Sequence, residues 1–373
     1  MKYLLFTLEY PPFKGGVGNY YKNIVENWPG KEGIKVLCQK QKDNRASEVS
    51  YKPLISNYIY PRWLPSLWHF SKEIKKNKYK HVLVGQILPL GTVSYFLSKI
   101  INFEYSIFLH GTDLSFAFRK KRKAKLSLKI LKNSRYIICT NNYVASKLKD
   151  KIEKKYHSKI HVVNPGIKTN IPQINKKLKV SLIKKYNLEN KSIILTLGRL
   201  VERKGVDKVL ESIDLISKEI NNFSYIIAGD GPYRGKLEQI KSKLNPDQKE
   251  KVIFLGKVEE DEKWALIDIC DLFVMISRNI KGDYEGFGIV YLEANLLAKP
   301  VIAGNSGGEE DSVNEKSGIK VNPLSKKEIS TAIIKLIKDK NLRIKIGKKA
   351  QKRAMDDFNW EKQSKKLFNI LEK

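Results

Sequence analysis

Cysteine and acidic side chains are the scarce components of this chain. Its three cysteines, Cys38, Cys139 and Cys270, are spread over 373 residues. Odd in number and far apart, they form neither a disulfide framework nor a metal-ligand spacing, and they fit a reducing cytoplasm. Long apolar runs are missing too. The longest, roughly 82–97, is broken by Gln86, Pro89 and Gly91, which excludes a transmembrane helix. The opening MKYLLFTLEYPP couples a short apolar run to Glu9 and two prolines, a poor signal peptide and a good first strand. The glycine-rich loop that follows is not G-x-G-x-x-G, so a dinucleotide fingerprint is absent.

What the chain has in excess is positive charge: 71 basic against 39 acidic residues, a net +32. Lysine outnumbers arginine 60 to 11, and a base composition rich in A/T would account for part of that. The distribution is informative. Residues 1–170 hold 32 basic and 10 acidic side chains, while the remainder holds 39 and 29. The stretch from Arg119 to Arg135 has nine basic residues and no acid. It reads as an amphipathic helix with Ala124, Leu128 and Leu131 on one stripe, suited to an anionic membrane surface.

With 42% apolar residues the chain is long enough for two cores. Short apolar runs alternate with helical patterns, the mark of a parallel α/β architecture. Strands are expected at 3–8, 35–38, 82–84, 105–109, 136–139 and 161–163, and in a second series at 193–197, 225–227, 252–255, 272–275, 301–303 and 318–321. Helices are expected between them, for example over 19–27, 90–101, 206–219 and 233–244. A polar, proline-bearing stretch from Lys168 to Lys177 reads as a linker. The expected organisation is therefore two Rossmann-like domains with parallel sheets facing a central cleft, 1–168 and 169–356, with 357–373 a helix crossing back to the first domain. In such sheets ligands bind beyond the carboxyl ends of strands.

The candidate chemistry sits at those ends. Glu285 and Glu293 lie eight residues apart in EGFGIVYLEA. On a helix beginning near Glu285 they would differ by about 80° in azimuth and about 12 Å in height, with free N–H groups at Gly286, Phe287 and Gly288 forming an anion site. The run LTLGRLVERKG places Arg199 and Lys204 where they would stabilise the charge gathering on a departing diphosphate. YPPFKGGVGNY, with Gly15 and Gly16, allows backbone N–H groups close to a phosphate. His110 of HGTD follows an apolar strand and faces the cleft if the topology is right. AGDGP, FLGKV and SGGEED are further strand-end turns.

These motifs, in this order and spacing, resemble retaining glycosyltransferases of family 4, which have the GT-B fold. The opening EYPPFKGGVGNY and the stretch IYPRWLP look closest to the branch of phosphatidylinositol and O-antigen mannosyltransferases. The resemblance implies that Arg199 and Lys204 hold the donor diphosphate and that the Gly15–Gly16 loop closes over it. It further implies that Glu293 holds the ribose hydroxyls, Glu285 with Phe287 and Gly288 touches the hexose, His110 lies near the reaction centre, and Val258 contacts the base. Asp311, where many relatives have Glu, receives no role. The implied activity is transfer of a hexose, from GDP-mannose or a UDP-sugar, to a lipid-linked saccharide or glycolipid. It would proceed with retention by front-face attack at the inner face of the cytoplasmic membrane. There is no Asp-x-Asp motif, and no metal or other cofactor is expected. Rival readings are a sugar-nucleotide epimerase or phosphorylase-like enzyme of the same fold, an inactive adaptor, and a basic nucleic-acid binder. The last is disfavoured because the lysines lack interleaved stacking aromatics.

Overall fold

The structure is a computed structural model that describes every residue except 1, 14, 42–48, 80 and 172. The chain divides into two compact units: Met1–Gly166 together with Trp360–Lys373, and Ile167–Asn359.

Unit 1 is built on seven strands: β1 (Tyr3–Thr7), β2 (Ile34–Gln39), β3 (Val49–Lys52), β4 (His81–Val84), β5 (Glu104–Leu109), β6 (Ile137–Cys139) and β7 (Ile160–Val162). They pair in parallel in the order β3-β2-β1-β4-β5-β6-β7. Helices cover both faces of the sheet, so central strands are mostly apolar instead of alternating, with buried His81 and Ser106 bonded to each other as exceptions. On one face Phe6 stacks on Phe70 at 4.3 Å, and on the other Tyr21 meets Phe108 edge-on. The last helix, Trp360–Leu371, packs on the helix Gly16–Glu26 of this unit. Trp360 lies edge-on to Tyr20, and the Ser364 hydroxyl donates to the Ile24 carbonyl.

Unit 2 repeats the plan with β8 (Ser192–Leu197), β9 (Phe223–Ala228), β10 (Val252–Gly256), β11 (Leu272–Met275), β12 (Val301–Gly304) and β13 (Gly318–Val321). The parallel order is β10-β9-β8-β11-β12-β13. Each sheet reverses its winding beside its first strand, between β1 and β4 and between β8 and β11. That is the topological switch point where open α/β sheets gather their functional loops.

Several expectations need correction. The strand β3 was missed because VSYK is short, half-polar and at the sheet edge. The helix expected over 206–219 is two, Val206–Leu210 and Ile213–Glu219, with Ser212 between them donating to the Lys208 carbonyl. The division between units falls after Gly166 and after Asn359, not at 168 and 356. Ile167 bridges to Asn359 and its N–H donates to the Phe358 carbonyl, closing unit 2 on itself. The helix Lys340–Asp357 runs through the expected second boundary, and Lys176–Lys185, at the end of the expected linker, is helical.

Candidate active site

The switch point of unit 2 is framed by the loops that leave β8 and β11. The first turns at Gly198 (φ +147°) and ends at Gly205 (φ +69°). A Cβ at Gly205 would collide with the Ile276 carbonyl, so glycine brings the two loops into backbone contact. Arg278, just past β11, ties them together. Its backbone N–H donates to the Arg203 carbonyl, and its guanidinium holds Asp207 by two bonds of 2.8 Å. Both side chains are buried, and a bidentate pair is the geometry that makes such burial tolerable.

On this frame sits a charge cluster. Lys204 Nζ is 2.6 Å and Arg203 Nη1 2.5 Å from the same oxygen of Glu285, and Arg203 Nε is 3.2 Å from Asp283. Glu285 is 8% exposed. Burial pushes its carboxyl up, but Lys204 and then Arg203 outweigh that and hold it below the ordinary glutamate value. Arg199 lies in the same turn with its side chain exposed and, among the described residues, forms no ion pair. The cations of this loop therefore face Glu285 and the largely exposed Asp283, with positive charge to spare.

Glu285 does not begin a helix. The helix is Ile289–Leu296, capped by Gly288 at φ +73°, and Glu285 lies in the loop ahead of it. The expected azimuth and height between the two glutamates therefore do not apply. A left-handed Gly288 turns the chain, so Gly286, Phe287 and Gly288 precede the helix. That loop is pinned from below: the Glu285 carbonyl accepts from the Gly308 N–H at 2.8 Å, and the Phe287 carbonyl from the Ser312 hydroxyl at 2.6 Å. Glu293 is mid-helix and held elsewhere, by Lys263 at 2.9 Å. Lys263 also reaches Glu260 at 2.7 Å, on the helix that follows the Val258 turn. Val258 itself is half-buried against the core.

Beneath the Glu285 loop lies Glu309, fully buried. One oxygen accepts from the Ser306 N–H at 3.3 Å, and the other has no partner. Burial pushes this carboxyl up to about 7, and the charges of Glu285 and Glu310 add to the shift. Asp311, assigned no role, engages Arg353 through its carbonyl at 2.5 Å.

In unit 1 the corresponding loops are joined by neutral groups, with the carboxyls of Glu9 and Asp113 close enough to act on Tyr21. Gln86, after β4, accepts from the Leu8 N–H at 3.1 Å and donates to the Thr7 hydroxyl at 3.2 Å. The Tyr21 hydroxyl lies 2.6 Å from the Gly85 carbonyl and 2.7 Å from His110 Nε2. A carbonyl cannot donate, so the phenol proton goes to Gly85 and His110 must donate from Nε2. This assigns the tautomer that leaves Nδ1 with its lone pair. Burial lowers the His110 pKa to about 3, so the ring is neutral. Asp113 gathers the N–H groups of His110, Gly111 and Leu114 on one oxygen and fixes the HGTD turn. Gly15 precedes the helix Gly16–Glu26 in extended conformation, and a Cβ on Gly16 would meet open space. Lys14 of this loop lies outside the described residues.

Of the residues singled out from sequence, Lys204 and Glu285 meet directly, Arg199 shares their loop, and Glu293 stands in a separate pair. Arg203, Asp207, Lys263, Arg278 and Glu309 were not anticipated. Arg203 could have been, as the neighbour of Lys204 in the same basic turn; the others had no local signal. Among the described residues no group of three or more His, Cys, Asp or Glu could hold a metal ion.

Comparison with known proteins agrees with this architecture. The family described as Glycosyl transferases group 1 matches residues 179–353, and Glycosyltransferase Family 4 matches residues 14–171. The chain belongs to these family 4 glycosyltransferases, with two parallel-sheet domains of the GT-B kind. It is 24% identical to the GDP-mannose-dependent α-(1-6)-phosphatidylinositol monomannoside mannosyltransferase of Mycolicibacterium smegmatis, over 99% of this chain and 97% of that protein. A GDP-mannose-dependent monoacylated α-(1-6)-phosphatidylinositol monomannoside mannosyltransferase of Corynebacterium glutamicum is also 24% identical, covering 100% and 98%. Among solved structures, Anabaena Alr3699/HepE in complex with UDP matches with a TM-score of 0.80 and 19% identity over the whole of both chains.

Proposed function

We propose that this glycosyltransferase moves a hexose from a nucleotide sugar to a lipid-linked saccharide or glycolipid with retention of configuration and without a metal. GDP-mannose is the favoured donor. The observation that carries the reading is the cluster at the β8/β11 switch point, where Lys204 and Arg203 share one oxygen of Glu285 and Arg199 stands exposed beside them. Cations in excess of their carboxylate suit a diphosphate, whose charge grows as its bond to the sugar breaks, and fixed cations favour that later state most. They also do the work a divalent metal would do. The acceptor hydroxyl forms its bond to the anomeric carbon on the face from which the diphosphate oxygen departs, and its proton passes to that phosphate.

The remaining roles follow the same logic. Glu285, kept ionised, accepts from hexose hydroxyls, with the backbone of Gly286, Phe287 and Gly288 beside it. Glu293, oriented by Lys263, accepts from the ribose diol, and Val258 edges the base. Gly15 and Gly16 present backbone N–H groups to phosphate. His110, neutral and donating to Tyr21, is a hydrogen-bond partner for a sugar hydroxyl and not a proton donor to the leaving group. GDP-mannose is favoured because full-length relatives at 24% identity carry that dependence in their names. A UDP-sugar is the second reading, supported by the UDP complex of the structural neighbour. The basic first half suits a peripheral position on the inner face of the cytoplasmic membrane; among the described residues no helix is long and apolar enough to cross a membrane.

Thermal-shift screening of UDP- and GDP-sugars tests the donor, since a ligand that binds the folded state raises the melting temperature by mass action. GDP-mannose is expected to give the largest shift. Arg199→Ala should cost several kcal/mol of transition-state stabilisation (about 10²–10³-fold in turnover). Transfer should persist in chelator. A strict requirement for Mg²⁺ or Mn²⁺, or free nucleoside diphosphate released without acceptor, would remove this reading.

A further inference from the structure

The charge cluster of unit 2 contains an acid that a phosphate site does not need. Asp283 lies two positions before Glu285, and one guanidinium engages both. Arg203 reaches Asp283 through Nε at 3.2 Å and Glu285 through Nη1 at 2.5 Å. Glu285 already has Lys204 as a second cation at 2.6 Å. The Asp283 side chain is 64% exposed, and an ion pair so open to water contributes little to stability. A carboxylate at this point also lowers the positive potential that draws a diphosphate. Neither folding nor phosphate binding accounts for it.

The position of Asp283 is nonetheless built. The Ile280 N–H donates to the Asp283 carbonyl at 2.8 Å, and the Asp283 N–H to the Ile280 carbonyl at 2.9 Å. Between them Lys281 (φ +52°) and Gly282 (φ +90°) are both left-handed, which closes a tight two-residue turn. The Asn279 side chain accepts from the Gly282 N–H at 2.8 Å. At the foot of the turn stands Arg278, fixed by the Arg203 carbonyl and by Asp207. A left-handed lysine is uncommon and persists where its surroundings hold it. The turn therefore carries the Asp283 carboxylate to Arg203 on a fixed backbone.

What these two carboxylates recognise follows from what they can accept. Glu285 gives one oxygen to both cations, and among the described residues its other oxygen has no partner. Ionised carboxylates accept and never donate, so they repel phosphate and attract hydroxyls. A hexose carries hydroxyls on successive ring carbons, and neighbouring carboxylates can each take one. A nucleoside diphosphate without its sugar offers no such hydroxyls and bears more negative charge at its free end.

We propose that Asp283 is a specificity-determining residue for the donor. Its carboxylate accepts from a hexose hydroxyl and opposes the more negative nucleoside diphosphate left after transfer, so the site prefers donor to product. The proposal deepens the reading of a nucleotide-sugar donor and rests on it. Calorimetric titration of the full chain compares GDP with GDP-mannose, and UDP with UDP-glucose, and follows whichever pair binds the wild type. In Asp283→Ala the nucleotide sugar should bind about tenfold more weakly or worse. The nucleoside diphosphate should bind as well as before or slightly better, because an acid has left its neighbourhood. Asp283→Asn, which keeps an acceptor oxygen without the charge, should fall between wild type and Asp283→Ala. Melting temperatures should match the wild type, since the residue is exposed. Equal weakening of both ligands would make Asp283 an orienter of Arg203 and overturn the proposal, as would an unchanged affinity for the nucleotide sugar. Either result leaves the proposed function standing, because the wild type still binds its donor. A wild type that binds neither pair overturns the proposed function, and the proposal with it.

Discussion

Both sheets reverse direction beside their first strand, yet the loops at the two reversal points are joined by different chemistry. In unit 1 the loops are joined by neutral hydrogen bonds through Gln86, Thr7, Tyr21 and a neutral His110. In unit 2 they are joined by ions: Arg278 with Asp207, and Arg203 and Lys204 with Glu285. A common topology therefore fixes where a site lies without fixing what it recognises. Neutral groups discriminate hydroxyls by direction, while fixed charges favour a phosphate whose charge rises during reaction. Even within unit 2, two carboxyls of one loop pair are pushed opposite ways. Glu285 is held low by its cations and Glu309 is pushed high by burial.

The comparison can be broken most severely at the buried ion pair. Asp207→Ala strips the buried Arg278 of its bidentate partner, leaving only Glu202 at 3.5 Å, and should cost about 3 kcal/mol of stability in denaturant unfolding. An unchanged midpoint would mean that the ions do not frame the unit 2 site. Next, Lys204→Met should reduce turnover by about 10²–10³-fold while the melting temperature changes little, because Arg203 still neutralises Glu285. If turnover survives, the charge cluster is structural.

Glu309 offers a pH test. Its folded pKa of about 7 lies above the unfolded glutamate value, so its contribution is fully present below the unfolded pKa and is lost as pH rises through about 7. Glu309→Gln should therefore be more stable than wild type at pH 8, on the order of 2 kcal/mol, with the advantage gone near pH 4. Parallel stability curves for the two proteins would refute the assignment. The smallest effect is expected in unit 1. Tyr21→Phe strips a donor from the Gly85 carbonyl and an acceptor from His110, costing about 1–2 kcal/mol of stability. In the wild type no step in activity near pH 6.5 should be traceable to His110, since its ring stays neutral far below that. A His110-dependent titration there would mean that the ring is not desolvated.

How much of this was legible in the chain differs between strands and site. Central strands such as Ile193–Leu197 and Leu272–Met275 announced themselves because burial on both faces demands nearly continuous apolar runs, here broken only by Thr196. The edge strand Val49–Lys52, half-buried, carries no such demand and left no pattern. Lys204 and Glu285 could be singled out from their glycine-rich turns. That they touch could not be read, because 81 positions separate them and only the adjacency of β8 and β11 brings their loops together. The helix expected to start at Glu285 starts at Ile289 for a related reason: a local pattern of apolar residues does not reveal a left-handed Gly288.

The sequence by itself determined the alternation of strands and helices, the two-sheet plan and the residue types at strand ends. Burial and turn geometry act over a few neighbouring residues and write themselves into local order. Only the tertiary structure decided which charges share an oxygen, which carboxyl is ionised and which tautomer His110 adopts. Coulombic and desolvation energies depend on distance in space and on exclusion of water, and neither is a property of position along the chain.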